Sequence, residues 1–493
     1  MLFLKNIALC VLSAGLLVIS YPQIEWWPLA WVALVPWLWA IEGKSARAAF
    51  ALSYGTGFIF FGGTVGWLVY VTYPGAFLMA AFLALYVALF GLAFHYFRKL
   101  PTTPRVFVLA ATWVCLEFIR SNLFTGFGWV TLGHSQYKNL FLIQIADITG
   151  VYGVSFLVML VNLLVFETLK SGSDIASIRK IQILTCVLLV AALGYGLWTV
   201  SRGTPSSSVN IGIVQPNVAQ SIKWEPQLRD VIVRKHIGLS RLLQGQNLDM
   251  IVWPETAMPG ITWESPALLE EIRQTAIQLK TAILFGAITE ENSHYFNSAL
   301  AFSRDGVLTG RYDKIHLVPF GEYLPLRPWL GWINQFVALD DFTSGKEYTL
   351  LEAGCPQKAF ATLICFEDTL SYLRRNFTNA GAKFFVNMTN DAWFQDTKAP
   401  FLHLQAAVLG CVENKRALVR SANTGVSVLI DPFGRMVSAV QDPHGKKTFI
   451  SGVASARLPL MEGKTVYTKY GDIFTYLCFA CILWGIAIRR RYA

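Results

Sequence analysis

Charge is what this chain has least of. Asp, Glu, Lys and Arg make up 15% of its 493 residues, whereas 54% are hydrophobic and mean hydropathy is +0.45. A soluble domain carries about 25% charged residues, so an ordinary water-soluble fold is excluded and a membrane protein is expected. Histidine is also scarce: seven residues, with His294, His316 and His403 too scattered for a metal site, so no metal and no cofactor is expected. The eight cysteines form no CxxC pair joined by a second pair and no secreted disulfide ladder. Cys10, Cys115, Cys186, Cys478 and Cys481 lie in apolar runs; a Cys355–Cys411 bridge is left open by the spacing. Basic residues exceed acidic ones to give a net charge of +10, but they are spread along the chain, without a patch interleaved with aromatics. Nucleic-acid binding is therefore not expected.

What is present is a series of long apolar runs. They fall at Leu4 to Ser20, Trp26 to Ile41, Ala48 to Val71, Ala76 to Phe97, Val106 to Leu123, Val151 to Leu169, Ile181 to Val200 and Ile473 to Ile488. Each is near the ~20 residues that cross a bilayer. The first has a single preceding lysine, Lys5, and no small-x-small cleavage site, so it reads as a retained helix. Eight spans are thus expected, seven in residues 1–203 and one in 472–493.

If the spans alternate, Lys44, Arg47, Arg98, Lys99, Arg105, Lys170, Arg179, Lys180 and Arg489 to Arg491 share one side with Lys5, while the opposite loops carry only Lys138. The basic side is cytoplasmic by the positive-inside rule, which puts both termini in the cytoplasm and residues 204–471 on the outer face. Glu117 and Arg120, three apart on one helical face of the fifth run, are read two ways: a lipid-headgroup contact or a mutually neutralising pair.

Between the spans, Arg202 to Ser208 is a polar, turn-rich linker. Strand-like runs follow at Val209 to Gln215, Met250 to Trp253, Ala282 to Ile288, Ser298 to Ser303, Ala359 to Ile364, Lys383 to Met388 and Ser427 to Ile430. Helical patterns at Gln227 to Leu243, Pro266 to Leu279 and His403 to Leu418 separate several of them, and this alternation predicts a layered α/β domain.

Three stretches in that domain carry chemistry. Ala361 to Asp368 runs from apolar strand to acidic turn and sets Cys365 at the elbow before a helical segment. A thiol there sits near unpaired backbone N–H groups and the positive end of a helix dipole, which favours the thiolate; the plain alternative is a buried structural cysteine. Asp249 to Glu255 is an apolar strand halted by Pro254, which delivers Glu255 at its carboxyl end, where α/β sheets gather ligands. Arg311 to Tyr323 supplies Lys314 and Glu322 in a loop punctuated by Pro319 and Gly321.

A Glu, a Lys and a Cys in this order resemble the catalytic set of the nitrilase superfamily. The narrower strings Trp-Pro-Glu255-Thr, Lys314-x-His-Leu-Val-Pro-Phe-Gly-Glu322-Tyr and Ile-Cys365-Phe-Glu367 resemble the apolipoprotein N-acyltransferase family. So do Gly128-Trp129 with Leu132-Gly133, Gly150-x-Tyr152-Gly153-Val154-Ser155-Phe156, and Thr465-Val466-Tyr467 with Tyr470-Gly471-Asp472, so the likeness spans the chain.

The resemblance implies a four-layer αββα sandwich at 204–471. It implies acyl transfer from a phospholipid donor to the amino-terminal S-diacylglyceryl-cysteine of apolipoproteins, by a ping-pong route through a Cys365 thioester, at the bacterial inner membrane with the catalytic domain in the periplasm. The chain is expected to act as a monomer.

Glu255, partly buried, suits the general base, and Lys314 with the Phe366 N–H suits the oxyanion. Glu322 would keep Lys314 charged and aimed, and Glu367 would lie near the incoming amine; the plain alternative for both is a surface acid or structural ion pair. Trp224 matches a family tryptophan of the substrate pocket, and Trp393 lies in a loop, Asn390 to Phe401, that suits a lid or lipid contact. Phe366 departs from the family's usual Tyr. Trp329, Trp332, Ile333 and Phe336 fall at helical spacing, as for an interfacial helix or for core packing.

Two other readings compete: a membrane-tethered amidase in which water resolves the thioester, and a transporter or scaffold, which leaves Glu255, Lys314 and Cys365 together without a use.

Overall fold

The computed structural model describes residues 2–170, 175–203, 205–324, 341–352 and 358–491. The aromatic stripe from Trp329 to Phe336 and the Cys355–Cys411 question therefore lie outside the described residues. The chain divides into two compact units: Met1–Gly203 with Thr397–Glu413 and Thr465–Ala493, and Thr204–Asp396 with Asn414–Lys464. Both differ from the domain limits expected from sequence, because a stretch inside the α/β region and the segment from Thr465 group with the apolar helices.

In the first unit every expected apolar run coincides with helix. Among the described residues five helices are long and apolar enough to cross a membrane: Ala46–Tyr70, Tyr73–Lys99, Thr102–Asn122, Val151–Leu169 and Ile175–Ser201. Phe3–Ile19, Trp27–Ile41 and Ile473–Arg489 are apolar but shorter. The Trp27–Ile41 segment is broken into a 3₁₀ turn, Trp27–Trp31, and a helix, Val35–Ile41, each with a proline in its first turn. A break in apolar surroundings exposes backbone groups that need partners. Asn162 supplies them: its amide accepts from the Leu34 N–H (2.9 Å) and donates to the Ala30 carbonyl (2.9 Å).

Glu117 and Arg120 have a comparable use. The Glu117 carboxylate accepts from the Leu132 N–H and Trp113 Nε1, both at 2.8 Å, and Arg120 donates to the carbonyls of Phe127 (3.0 Å) and Trp129 (2.7 Å). Both residues hold the connection that follows their own helix, Thr102–Asn122.

The second unit is α/β. Its strands are β1 Ser208–Gln215, β2 Met250–Val252, β3 Met258–Ile261, β4 Ala282–Glu291, β5 His294–Phe302, β6 Leu308–Asp313, β7 Leu350–Leu351, β8 Phe360–Ile364, β9 Phe384–Thr389, β10 Ala417–Ala422, β11 Val428–Ile430, β12 Met436–Ala439 and β13 Gly452–Pro459. One sheet runs β13-β1-β2-β4-β5-β6 with β3 beside β4; the other runs β12-β11-β10-β9-β8-β7. Each has a parallel centre, β1-β2-β4 and β8-β9-β10, flanked by antiparallel strands. Such centres read as unbroken apolar runs because both faces are covered.

Helices Arg229–Arg241 and Pro266–Leu279 cover the first sheet, packing Ile237, Ile272 and Ala276 against Ile251, Trp253 and Phe285. Each buried isoleucine or phenylalanine among them contributes about 1.5–3 kcal/mol. The sheets face each other, with Ser421 on β10 donating to the carbonyls of Val214 (3.0 Å) and Val252 (3.2 Å).

The seven strand-like runs are all strands. The helix expected to reach Leu418 instead ends at Asn414: Lys415 takes a left-handed φ of 48°, and Ala417 and Leu418 open β10. That helix, Ala399–Asn414, buries residues on every side, so it lacks the polar face that marks a helix boundary in sequence.

Candidate active site

Four strand ends converge in the second unit. Strand β2 delivers Glu255, β6 delivers Lys314, β8 delivers Cys365 and β9 leads to Asp391. The Glu255 segment is set by its neighbours' backbones: Trp253 N–H donates to Leu284 O (2.8 Å) and Gly286 N–H to Pro254 O (3.3 Å). Trp253, fully buried, anchors the strand end by donating to Ser240 Oγ at 2.8 Å. The main chain of Lys314 is clamped between Asn297 O (2.9 Å) and the Gly345 N–H (2.8 Å).

Around Lys314 the charges are tightly arranged. Its Nζ lies 2.7 Å from Glu322 Oε2, 2.9 Å from Glu322 Oε1 and 4.0 Å from Glu255 Oε1. Glu322 is folded back into place by the Val318 N–H, which donates to its Oε2 at 2.8 Å. Asn297 Nδ2 bridges the two acids, 2.8 Å from Glu255 Oε1 and 2.9 Å from Glu322 Oε1. Burial raises the Glu255 pKa above the usual carboxylate range, with Lys314 opposing and Glu322 adding to the rise. Burial works against the charge of Lys314 as well, but Glu322, Cys365 and Glu255 outweigh it and hold the ammonium protonated.

Cys365 begins a 3₁₀ turn, Cys365–Thr369, and has φ +54°, a left-handed conformation that costs a non-glycine residue about 1–3 kcal/mol. Asn387 Nδ2 holds it there by donating to the Cys365 carbonyl at 3.0 Å. Arg420, with no exposed surface, in turn holds Asn387 Oδ1 (2.8 Å), Asp368 (2.8 Å) and Asp391 (3.3 Å).

The thiolate expected from a helix terminus is corrected here. Burial pushes the Cys365 thiol up, Glu255, Asp391 and Glu322 push it further, and Lys314 offsets only part. The resting sulfur is protonated, so it needs a base.

Glu367 points inward. Fully buried, its carboxylate accepts from the N–H groups of Ile364 (2.8 Å), Ile315 (2.8 Å) and His316 (2.9 Å) and from the Tyr312 hydroxyl (2.9 and 3.0 Å). It thereby ties the elbow of Cys365 to the loop of Lys314. Burial pushes its pKa up to about 7, against those N–H donors.

Phe366 is half-buried, its ring 6.0 Å from that of His316. Trp224 and Trp393 are about half exposed, at 46% and 50%, so neither is a core residue. Asn297 and Lys223 are among the residues that were not expected, as are Asn387, Asp391 and Arg420. Nothing local marks Asn297 in the antiparallel strand β5; Lys223 lies beside Trp224, but a lysine there reads as surface. Among the described residues no group of three or more His, Cys, Asp and Glu is placed to hold a metal ion.

Comparison with known proteins adds to this geometry. Residues 13–164 match the family model described as apolipoprotein N-acyltransferase N-terminal domain, and residues 210–459 match the one described as carbon-nitrogen hydrolase. A protein named apolipoprotein N-acyltransferase from Geobacter metallireducens is 35% identical over 508 residues, covering 99% of this chain and 96% of that one. Proteins of the same name from Haemophilus ducreyi and Chlorobaculum tepidum are 29% and 28% identical, each covering 99% of this chain and 97% of theirs.

Proposed function

Because the chain belongs to the apolipoprotein N-acyltransferase family, with a nitrilase-like α/β domain, we propose that it N-acylates apolipoproteins in two steps through Cys365. In the first step Glu255 takes the Cys365 proton as the sulfur attacks the ester carbonyl of a phospholipid. Lys314 and the Phe366 N–H receive the oxyanion, and the leaving lysophospholipid alkoxide takes the proton back from Glu255. In the second step the α-amine of an S-diacylglyceryl-cysteine attacks the thioester. Its proton passes by way of Glu255 to the departing sulfur, which restores the thiol.

The observation that carries this reading is the buried group of Glu255, Lys314 and Glu322 acting on a protonated thiol. A lysine already matched by Glu322 stays cationic for the oxyanion, and a carboxylate with a raised pKa is suited to accept a thiol proton near neutrality. The exposed rings of Trp224 and Trp393 suit contact with the lipid substrates.

The eight apolar runs act as eight spans of a protein that works as a monomer in the inner membrane, and the distribution of Lys and Arg supports cytoplasmic termini and a periplasmic α/β domain.

Mass spectrometry of the intact protein after mixing with phospholipid tests the first step: one acyl chain is gained, and none in Cys365→Ser. Adding a diacylglyceryl peptide to the acylated protein tests the second. Label on the peptide supports transfer; free fatty acid with an unlabelled peptide would mean that water resolves the thioester.

A further inference from the structure

Lys223 closes the short helix Gln220–Lys223 and is 2% exposed, a rare environment for an ammonium. Its Nζ makes one hydrogen bond among the described residues, to the backbone carbonyl of Glu255 at 3.0 Å, although an ammonium has three donors. A buried cation is tolerated only where opposite charge compensates it. The groups acting on Lys223 are Glu255 and Cys365. His236, on the neighbouring helix Arg229–Arg241, contributes no charge, since burial lowers its pKa to about 3.

The same site shows why a second cation is needed. Glu255 faces Lys314, Glu322, Asn297 and Lys223; Cys365 faces Glu255, Lys314, Asp391 and Glu322. Lys314 is held closely by Glu322, at 2.7 Å, and stands 4.0 Å from Glu255. Two acids against one lysine leave the base and the thiol in a negative field, and Lys223 balances it.

We propose that Lys223 is a positioning residue for the Glu255–Cys365 pair: it docks the strand end that carries the base and supplies the second positive charge that base and thiol require. The proposal rests on the reading of Glu255 as base and Cys365 as nucleophile. Burial lowers the pKa of Lys223 to about 8, so the balancing charge is present at neutral pH and is lost as pH rises through that value.

The test uses the full-length protein and iodoacetamide, with mass spectrometry of the Cys365 peptide, so that no lipid substrate is involved. In Lys223→Met, alkylation at neutral pH falls about tenfold, and the deficit closes as pH rises above about 8, where wild-type Lys223 itself loses its charge. Lys223→Arg restores the neutral-pH rate and, still charged above about pH 8, keeps the advantage there. Lys223→Gln, which keeps a donor for the Glu255 carbonyl but no charge, behaves as Lys223→Met and serves in its place if that variant fails to fold. A neutral-pH rate unchanged in both neutral variants, or a deficit that does not shrink as pH rises above about 8, would overturn the proposal. A neutral-pH deficit that closes above about pH 8, in a protein that no phospholipid acylates, would leave this inference standing and remove the acyl-transfer reading.

Discussion

Gly286 offers a stringent test of how the base is placed. It lies on β4 under the turn that carries Glu255, and a Cβ added there would stand 2.4 Å from Thr256 N, 2.6 Å from Pro254 O and 2.7 Å from Glu255 Cα. All three are backbone atoms, so no side chain can swing away. Ordinary contacts need about 3.5–4.0 Å, which forces the Pro254–Thr256 segment back by ~1 Å. A displacement of that size at a catalytic group costs about 10²-fold in rate, and overpacking costs about 1–3 kcal/mol in stability. Gly286→Ala is therefore expected to lower the rate of Cys365 acylation about 100-fold while the protein still folds. Gly238 is the control: exposed within helix Arg229–Arg241 with nothing near its added Cβ, it should gain about 0.5–1 kcal/mol on change to Ala, with acylation unaffected. The assay is the time course of the acylated mass, alongside a thermal unfolding curve in detergent. A Gly286→Ala protein that acylates at the wild-type rate would refute the reasoning, since Glu255 would then tolerate movement that a base in hydrogen-bond reach cannot.

Two further outcomes are expected. Because the Glu255 pKa is raised and the base must be ionised, acylation falls on acidification at a pH above the usual carboxylate value; Asn297→Leu removes a hydrogen bond that favours the ionised form, so a pH–rate profile should show the acidic limb moved higher still. Arg420→Met leaves Asp368 and Asp391 buried without their shared partner and should cost about 3–5 kcal/mol, read as a lowered unfolding midpoint.

Much of the site was legible because its carriers are local. Trp253-Pro254-Glu255 announces a strand end, and Ile364-Cys365 announces an elbow, and both stand where those signals put them. The state of the sulfur was not legible in that way. A helix terminus argued for a thiolate, but burial and the acids Glu255, Asp391 and Glu322 outweigh it, and their distances to Cys365 exist only after folding. Glu367 shows the same limit: its neighbours in sequence place it beside the nucleophile, whereas three backbone N–H groups, two of them from the Lys314 loop, draw it inward.

By itself, then, the sequence determined which segments are helical and apolar, which alternate as strand and helix, and which residues end the central strands, because periodicity, proline stops and hydropathy act over a few residues. The tertiary structure alone decided that Lys223 and Asn297 join the site, that helix Ala399–Asn414 is buried all round, and which groups hold protons. Burial and electrostatic interaction depend on distances through space, and the order of residues along the chain does not fix them.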